Sequence, residues 1–287
     1  MFRDCLDKRT ILLGAAGLAA VAVLALMPQL FRDQLGEAFA ALEHASAGWL
    51  WLSAAAFVAA LFCSASAWRA ATKLPDRLDA YARYGVGSLV NSFVPAHAGD
   101  AVRLALFAKA SPGDHRLMTA GKALASVAVM RLGCVGVLLL ATLKPVAILG
   151  LLLAPLLGRV PTWVAAATVA RVAAAAAVAA AVGVPSPVLT ALLVVPAIDL
   201  AGLFAITPGN IGLKSGAIAL ALQAQGVDMT TALSTGIAFH AVETLVGITF
   251  GSAGTLYLSR VPVPRWAVAG ATTVVAAAFV GSMVFVH

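Results

Sequence analysis

YGVGSLVNSFVPAHAGDAVRLALFAKA, residues 84–110, is the most informative stretch for the architecture, because helix breakers and polar residues interrupt its apolar pattern. Pro95 cannot continue a helix, and Gly99 frees the backbone. The carboxylate of Asp100 is well placed to cap the helix that follows. Each apolar arm is shorter than the roughly 20 residues that a helix needs to cross a bilayer. The stretch therefore predicts a helical hairpin that enters the membrane and leaves on the same side.

A second interrupted stretch, LFAITPGNIGLKSGAIALALQAQGVD, occupies residues 203–228. Four residues make up its break: Thr207, Pro208, Gly209 and Asn210. A short helix follows, with Gly226 as a natural C-terminal cap and Asp228 as a natural N-cap for the next helix. A single break is more often a kink, but backbone that leaves the helix at membrane depth must be satisfied by protein or water. Two such breaks therefore indicate a transport site.

The composition places the chain among all-α, polytopic membrane helix bundles. Of its 287 residues 62% are hydrophobic and 11% are charged, whereas about a quarter of the residues in a soluble domain are charged. This composition excludes disorder, a disulfide scaffold and an ordinary cytosolic enzyme, and the long apolar runs exclude a transmembrane β-barrel. The net charge of +7 fits Lys and Arg at cytoplasmic helix ends better than a nucleic-acid partner, for which no motif appears.

Apolar runs predict about seven spans and a single transmembrane domain over residues 1–287. The expected spans cover residues 11–31, 48–68, 118–143, 163–184, 187–206, 229–258 and 266–286. The first thus lies within residues 1–31 and the last within 263–287. Basic residues before the first span and between residues 69 and 83 predict a cytoplasmic N-terminus in the plasma (inner) membrane. The short piece 146–157 is not expected to cross independently.

The two breaks occupy similar places in two halves of the chain. We predict one repeat over about residues 48–143, with its re-entrant part at 84–110, and a second over about 163–258, with its re-entrant part at 203–228. Each break is followed by a long apolar helix that carries one basic or titratable group, Arg131 in the first half and His240 in the second.

At these residues the sequence resembles the transmembrane region of lysylphosphatidylglycerol synthases and their stand-alone flippase-like relatives, roughly from Gly48 onward. The first family signature, N-x-x-x-P-x-x-x-G-[DE]-x-x-R, is matched by Asn91, Pro95, Gly99, Asp100 and Arg103. The second, P-x-x-P-G-G-x-G-x-x-E, is matched in part by residues 207–212. Departures from the family pattern stand at Met130, Cys134, Asn210 and Ser215.

The resemblance implies two inverted repeats with re-entrant hairpins, and the movement of lipids or lipid-linked sugars between leaflets. Bifunctional members carry a soluble aminoacyl-transferase domain after the membrane part, and this chain stops at His287, so we expect no lysyl transfer and no enzyme activity. The implied partners are a membrane lipid with an anionic headgroup and a separate lipid-modifying enzyme. A surface rich in Gly and Ala allows a homodimer.

The candidate substrate-binding residues are Asn91, Pro95, His97, Asp100, Arg103, Arg131, Thr207, Pro208, Gly209, Asn210, Lys214, His240 and Glu243. A charge at the bilayer centre costs roughly 2.5–3.5 kcal/mol, so Arg131 must face protein or water. It either contacts a lipid phosphate or pairs with an acid such as Asp100 or Asp199. Arg103 has the same two alternatives, the second being a pair with Asp100.

Other ionisable groups leave further alternatives open. His240 and Glu243 either relay a proton or form a pair that staples two helices. Lys214 lies in the site or extends to the surface, and Arg171 and Asp199 are expected to pair across helices. No nucleophile, metal or cofactor motif appears. The function indicated is lipid transport; the alternatives are a lipid-modifying membrane enzyme with His97, Asp100, His240 and Glu243 as acid–base groups, and a secondary transporter of a small anionic solute.

Overall fold

A computed structural model describes residues 45–93, 98–203 and 211–259. These residues form an all-α bundle without a strand, in which four helices are long and apolar enough to cross a membrane. The eight main helices are α1 Ala47–Thr72, α2 Arg77–Phe93, α3 Ala98–Ala110, α4 Arg116–Leu143, α5 Arg159–Val182, α6 Pro187–Ala201, α7 Ile211–Gln223 and α8 Met229–Leu258. The predicted first and last spans lie outside the described residues.

The helices follow one order twice, long, short, short, long. The first set is α1 to α4 and the second is α5 to α8, and α1, α4, α5 and α8 are the four helices of membrane-spanning length. A connector links the two sets and consists of a 3₁₀ helix, Pro145–Leu153, followed by a single α-helical turn, Ala154–Leu157.

The first helices of the two sets, α1 and α5, pack against each other and run antiparallel. The amide of Ser46, just before α1, donates to the carbonyl oxygen of Ala181, near the end of α5, over 3.0 Å. Helix α5 is rich in alanine, which has the highest helix propensity and allows close approach of two helices. It ends at Val182 and is followed by Gly183, whose φ of 82° is the left-handed conformation in which glycine commonly follows a helix.

Helices α2 and α3 form the first hairpin. The Arg83 guanidinium donates to the carbonyl oxygen of Leu106 over 2.8 Å, and the Gly99 amide donates to Asn91 Oδ1 over 2.8 Å. The two arms therefore lie side by side and antiparallel. Asp100 is the third residue of α3 rather than its N-cap, because this helix begins earlier than its sequence indicates.

Helices α6 and α7 form the second hairpin, and here the structure differs from the prediction. The apolar pattern predicts a span over residues 187–206, but α6 covers only Pro187–Ala201, fifteen residues, which is too short to cross a bilayer. It pairs with α7 instead, and the Thr190 hydroxyl at its start donates to Gln225 Oε1 over 2.9 Å. The apolar run is therefore one arm of a hairpin.

The hairpins open toward opposite ends of the bundle. Trp68 at the end of α1 shares a buried cluster with Tyr84, Phe107 and Ala120, so the open end of the first hairpin lies where α1 ends. The second hairpin starts just after α5, whose end lies beside the start of α1. Helix α8 then returns to the first end, where the Tyr257 hydroxyl donates to Asp76 over 3.3 Å.

The connector leads the chain back along α4. Its Gly150 lies against Val137 of α4, and α5 then begins near the end of the bundle at which α1 finishes. At about 2.0 Å per 3₁₀ residue and 1.5 Å per α residue, the connector reaches roughly 24 Å. The apolar pattern predicts a span over residues 187–206, and residues 146–157 are not expected to cross independently. In the structure the connector, which contains residues 146–157, instead runs along the bundle from the end of α4 to the start of α5, and residues 187–201 form a hairpin arm.

Candidate functional site

A cavity of about 460 Å³ lies between the two hairpins and the four long helices, and each of the eight helices contributes to its wall. Seven of the candidate residues line this cavity: Asn91, Asp100, Arg103, Arg131, Lys214, His240 and Glu243. The other six fall outside the described residues: Pro95, His97, Thr207, Pro208, Gly209 and Asn210. The structure therefore gathers residues from distant parts of the sequence on one surface.

The most informative group in the cavity is a carboxylate shared by two arginines. Asp199 of α6 lies 2.6 Å from Nη2 of Arg131 on α4 and 2.6 Å from Nη1 of Arg171 on α5. Arg171 Nη1 also donates to the second carboxylate oxygen of Asp199 over 2.9 Å. Three helices are thus joined by two positive charges and one negative charge, so the group carries one surplus positive charge.

The two arginines of this group differ in exposure. The side chain of Arg131 is 50% exposed, whereas the side chains of Arg171 and Asp199 are 11% and 7% exposed. Arg171 and Asp199 therefore form the buried pair that the sequence predicts. Arg131 has the predicted acid partner and is also accessible from the cavity. The sequence indicates only a structural role for Arg171 and Asp199, although both line the cavity.

Arg103 forms a second polar group on the wall built by the first hairpin. It pairs with Asp100 over 2.5 Å and donates to Ser88 Oγ over 3.3 Å. Its guanidinium carbon lies 4.0 Å from the centre of the Tyr84 ring and 6.0 Å from that of Trp68. Its Nε is buried without a hydrogen-bond partner among the described residues.

Lys214, Glu243 and His240 form a third group, on the wall built by α7 and α8. Lys214 Nζ lies 2.8 Å from Glu243 Oε2, which also lies 3.9 Å from His240 Nδ1. His240 Nε2 is 3.2 Å from the Thr244 hydroxyl. Lys214 therefore faces the cavity rather than the surface. The ion pair staples α7 to α8, and the proton relay stays a hypothesis.

Two large exposed apolar side chains form one edge of the cavity wall, and we interpret this edge as a side opening. Leu132 on α4 and Leu203 just after α6 line the cavity and are 51% and 57% exposed. They lie near Arg131 and Asp199 in sequence, so the surplus charge is close to this opening. Large exposed apolar side chains at the mouth of a site are suited to contact with hydrocarbon.

Within the described ranges, no group of three or more His, Cys, Asp or Glu side chains could hold a metal ion. Cys63 and Cys134 are free thiols. Comparison of the chain with protein-family models, with curated proteins and with solved structures gives no match. The function must therefore be inferred from the cavity and from its three charged groups.

Proposed function

We propose that this protein is a flippase-like lipid transporter, which moves an anionic phospholipid or a polyprenyl-phosphate-linked lipid between membrane leaflets. One observation carries the proposal: the side chain of Arg131, half exposed, belongs to a group with one surplus positive charge in a cavity bounded by helices of membrane-spanning length. A guanidinium binds phosphate through two parallel hydrogen bonds. Because Asp199 is shared with Arg171, Arg131 can bind an anion without leaving a buried carboxylate unpaired.

The arrangement of the helices supports two inverted repeats as the transport scaffold. The order long, short, short, long occurs twice, and each hairpin packs against the last helix of the other half: α2 on α8 and α6 on α4. The antiparallel packing of α1 and α5 fits a two-fold axis across the bundle. Hairpins that open toward opposite ends are the form in which inverted-repeat transporters build a site at the bilayer midplane.

The side opening favours a lipid over a small anionic solute. A solute transporter needs polar walls around an aqueous path, whereas Leu132 and Leu203 give this cavity an apolar mouth beside its charged group. A lipid can place its phosphate at Arg131 while its tails stay in the bilayer. We further propose a plasma-membrane location with a cytoplasmic N-terminus, supported by the basic residues Arg69, Lys73 and Arg77 where α1 ends and α2 begins.

The test is transport of a fluorescent anionic phospholipid by proteoliposomes, measured as the fraction of label that a membrane-impermeant quencher cannot reach. Arg131→Gln should reduce the rate of translocation at least tenfold, and Arg131→Lys should retain part of it. Arg116→Gln is the matched control, since Arg116 is exposed outside the cavity and donates only to the Gly113 carbonyl. Equal rates for wild type, Arg131→Gln and empty liposomes would refute the proposed function.

A further inference from the structure

We infer that the anionic lipid is carried together with one proton, and that His240 beside Glu243 is the group that binds this proton. The inference rests on the proposed function, because the proton is a second ligand of the same cavity. His240 and Glu243 lie on α8 and line the cavity together with Lys214 of α7.

The imidazole of His240 is buried, and one of its two nitrogen atoms has no hydrogen-bond partner. Its side chain is 9% exposed. Nε2 lies 3.2 Å from the Thr244 hydroxyl, whereas Nδ1 has no partner within the described part of the chain. Glu243 Oε2 lies 3.9 Å from Nδ1, which is too far for a hydrogen bond. In either neutral tautomer Nδ1 is therefore unsatisfied, as a lone pair without a donor or as a donor without an acceptor.

A protonated His240 suits this position better than a neutral one. An imidazolium carries an N–H at both nitrogens and a positive charge, and Nδ1 is within ion-pair distance of the Glu243 carboxylate. Glu243 already holds Lys214 over 2.8 Å, so the carboxylate would be shared by two positive charges, as Asp199 is. The Glu243 and Lys214 side chains are 27% and 20% exposed, which gives a proton access to this group from the cavity.

The charges of the cavity favour the binding of an anion and a proton together. Counted over the described residues that line it, the cavity has one surplus positive charge, which belongs to the group of Arg131, Arg171 and Asp199; the other two groups are balanced ion pairs. A lipid phosphodiester cancels this surplus. A proton at His240 then enters a neutral cavity rather than a positive one. Because such coupling is reciprocal, the proton should tighten lipid binding by the same factor.

His240 is the group of this wall that is expected to titrate near neutral pH. The helices that pack against α8 are chiefly α1, α2, α5 and α7. They contribute Tyr84, Arg171 and Lys214 to the wall, with no titratable group from α1. The ordinary pKa values of these three lie far above 8, whereas that of histidine is about 6.5. The carboxylates of the described wall are each paired with a cation.

The first test measures the protons taken up when a lipid binds. The probe is a short-chain phosphatidylglycerol, whose phosphodiester does not titrate between pH 6 and pH 8, so any proton taken up is bound by the protein. Calorimetric titration of the full chain in detergent is carried out in Hepes and in Tris. The difference in apparent binding enthalpy, divided by the difference in buffer ionisation enthalpy, gives the number of protons per lipid. We expect wild type to take up roughly half a proton per lipid near pH 7 and to bind about fivefold more tightly at pH 6 than at pH 8.

Variants assign the proton to His240. His240→Gln should take up no proton, and its affinity for the lipid should no longer change between pH 6 and pH 8. The matched control is His115→Gln, at an exposed histidine that precedes α4 and does not line the cavity; this variant should keep the pH dependence of wild type. Glu243→Gln keeps the imidazole but removes the carboxylate beside Nδ1, so it should move the pH dependence toward lower pH by about one unit. It gives an answer even if His240→Gln does not fold.

The second test asks whether the bound proton is carried. In one cycle the proton leaves water on one side, forms the N–H bond at Nδ1 and returns to water on the other side with the lipid. Proteoliposomes receive fluorescent phosphatidylglycerol in the outer leaflet and a pH gradient in either direction. Wild type should move the lipid inward several-fold faster when the outside is the more acidic. His240→Gln should show equal rates under the two gradients.

The outcomes separate this inference from the proposed function. If wild type binds the lipid without proton uptake, or with an affinity that is constant or falls from pH 8 to pH 6, the proton site is refuted and the proposed function stands. Binding of no lipid at any pH refutes both. If His240→Gln keeps the helix content and elution volume of wild type and still takes up the proton, or if Glu243→Gln leaves the pH dependence unmoved, His240 does not hold it. Proton uptake without any effect of the gradient on wild type shows that the proton is bound but not carried, and this too overturns the inference.

Discussion

The shared carboxylate at the centre of the cavity makes a strong prediction about stability. Asp199→Asn leaves the guanidinium groups of Arg131 and Arg171 without their counterion, although Arg171 is almost fully buried. Removing one partner of a buried ion pair costs about 3–5 kcal/mol, because the remaining charge stays desolvated. We therefore expect Asp199→Asn to lower the free energy of unfolding by about that amount.

Arg131→Gln should behave differently, although it breaks a contact of the same length. Asp199 keeps Arg171, which contacts both of its carboxylate oxygens, and the Arg131 side chain is half exposed. Ion pairs of exposed groups contribute about 1 kcal/mol or less. Arg131→Gln should therefore unfold with nearly wild-type stability while losing anion binding. Arg171→Gln should fall between the two, since it leaves Asp199 with a half-exposed partner.

The assay is unfolding of the purified protein in mixed micelles of rising denaturing detergent, followed by helix content. The expected order of destabilisation is Asp199→Asn, then Arg171→Gln, then Arg131→Gln. If Arg131→Gln destabilised the protein as much as Asp199→Asn, Arg131 would be a structural residue. The loss of lipid binding in that variant could then be explained by unfolding, and the phosphate contact at Arg131 would lose its support.

Three further predictions concern packing and capping. A Cβ on Gly254 would lie 2.5 Å from a backbone carbonyl oxygen of α2, so Gly254→Ala should lower the free energy of unfolding by about 1–3 kcal/mol. A Cβ on Gly133 would meet no neighbouring atom within 4 Å, so Gly133→Ala should leave the protein unchanged or stabilise it by up to about 1 kcal/mol. Equal effects of the two variants on unfolding in detergent would contradict the packing of α8 against α2. Lys214→Gln and Glu243→Gln should show a coupling energy of about 0.5–3 kcal/mol in a double-mutant cycle, and additive effects would deny the staple between α7 and α8. Asp228 caps α8 by accepting from a backbone amide over 2.8 Å, so Asp228→Ala should cost about 1 kcal/mol and Asp228→Asn much less. That hydrogen bond lowers the pKa of Asp228. The stability that the ionised carboxylate contributes is therefore present at neutral pH and should be lost as the pH falls through the lowered pKa. If the difference in unfolding free energy between wild type and Asp228→Asn did not change with pH, the charge of Asp228 would not contribute to the cap.

Much of the architecture follows from hydropathy and helix breakers alone. The long apolar runs predict α1, α4, α5 and α8 to within a few residues, because a membrane helix must satisfy its backbone internally and be apolar along its length. Asp228 is recognisable as an N-cap because capping depends on residues within one turn. These are local properties, which a sequence states directly.

Hydropathy cannot distinguish apolar runs that cross the membrane from those that fold back. Residues 187–206 and the connector are both apolar, and only packing against α7 and α4 distinguishes a hairpin arm from a return path. The candidate site shows the same limit. Titratable residues in apolar surroundings can be identified from the sequence, but their partners are set by which helices meet.

From its sequence, this chain is recognisable as a helical protein with helices apolar enough to cross a membrane, two polar breaks and a few charges within its apolar runs. Helix packing is what gives Asp199 two arginine partners and leaves the positive charge of Arg131 in surplus. Packing also balances Arg103 with Asp100 and holds it against Tyr84. This difference arises because hydropathy and capping act over a few residues, whereas charge balance depends on residues that are distant in sequence and brought within a few ångströms by the assembled helices.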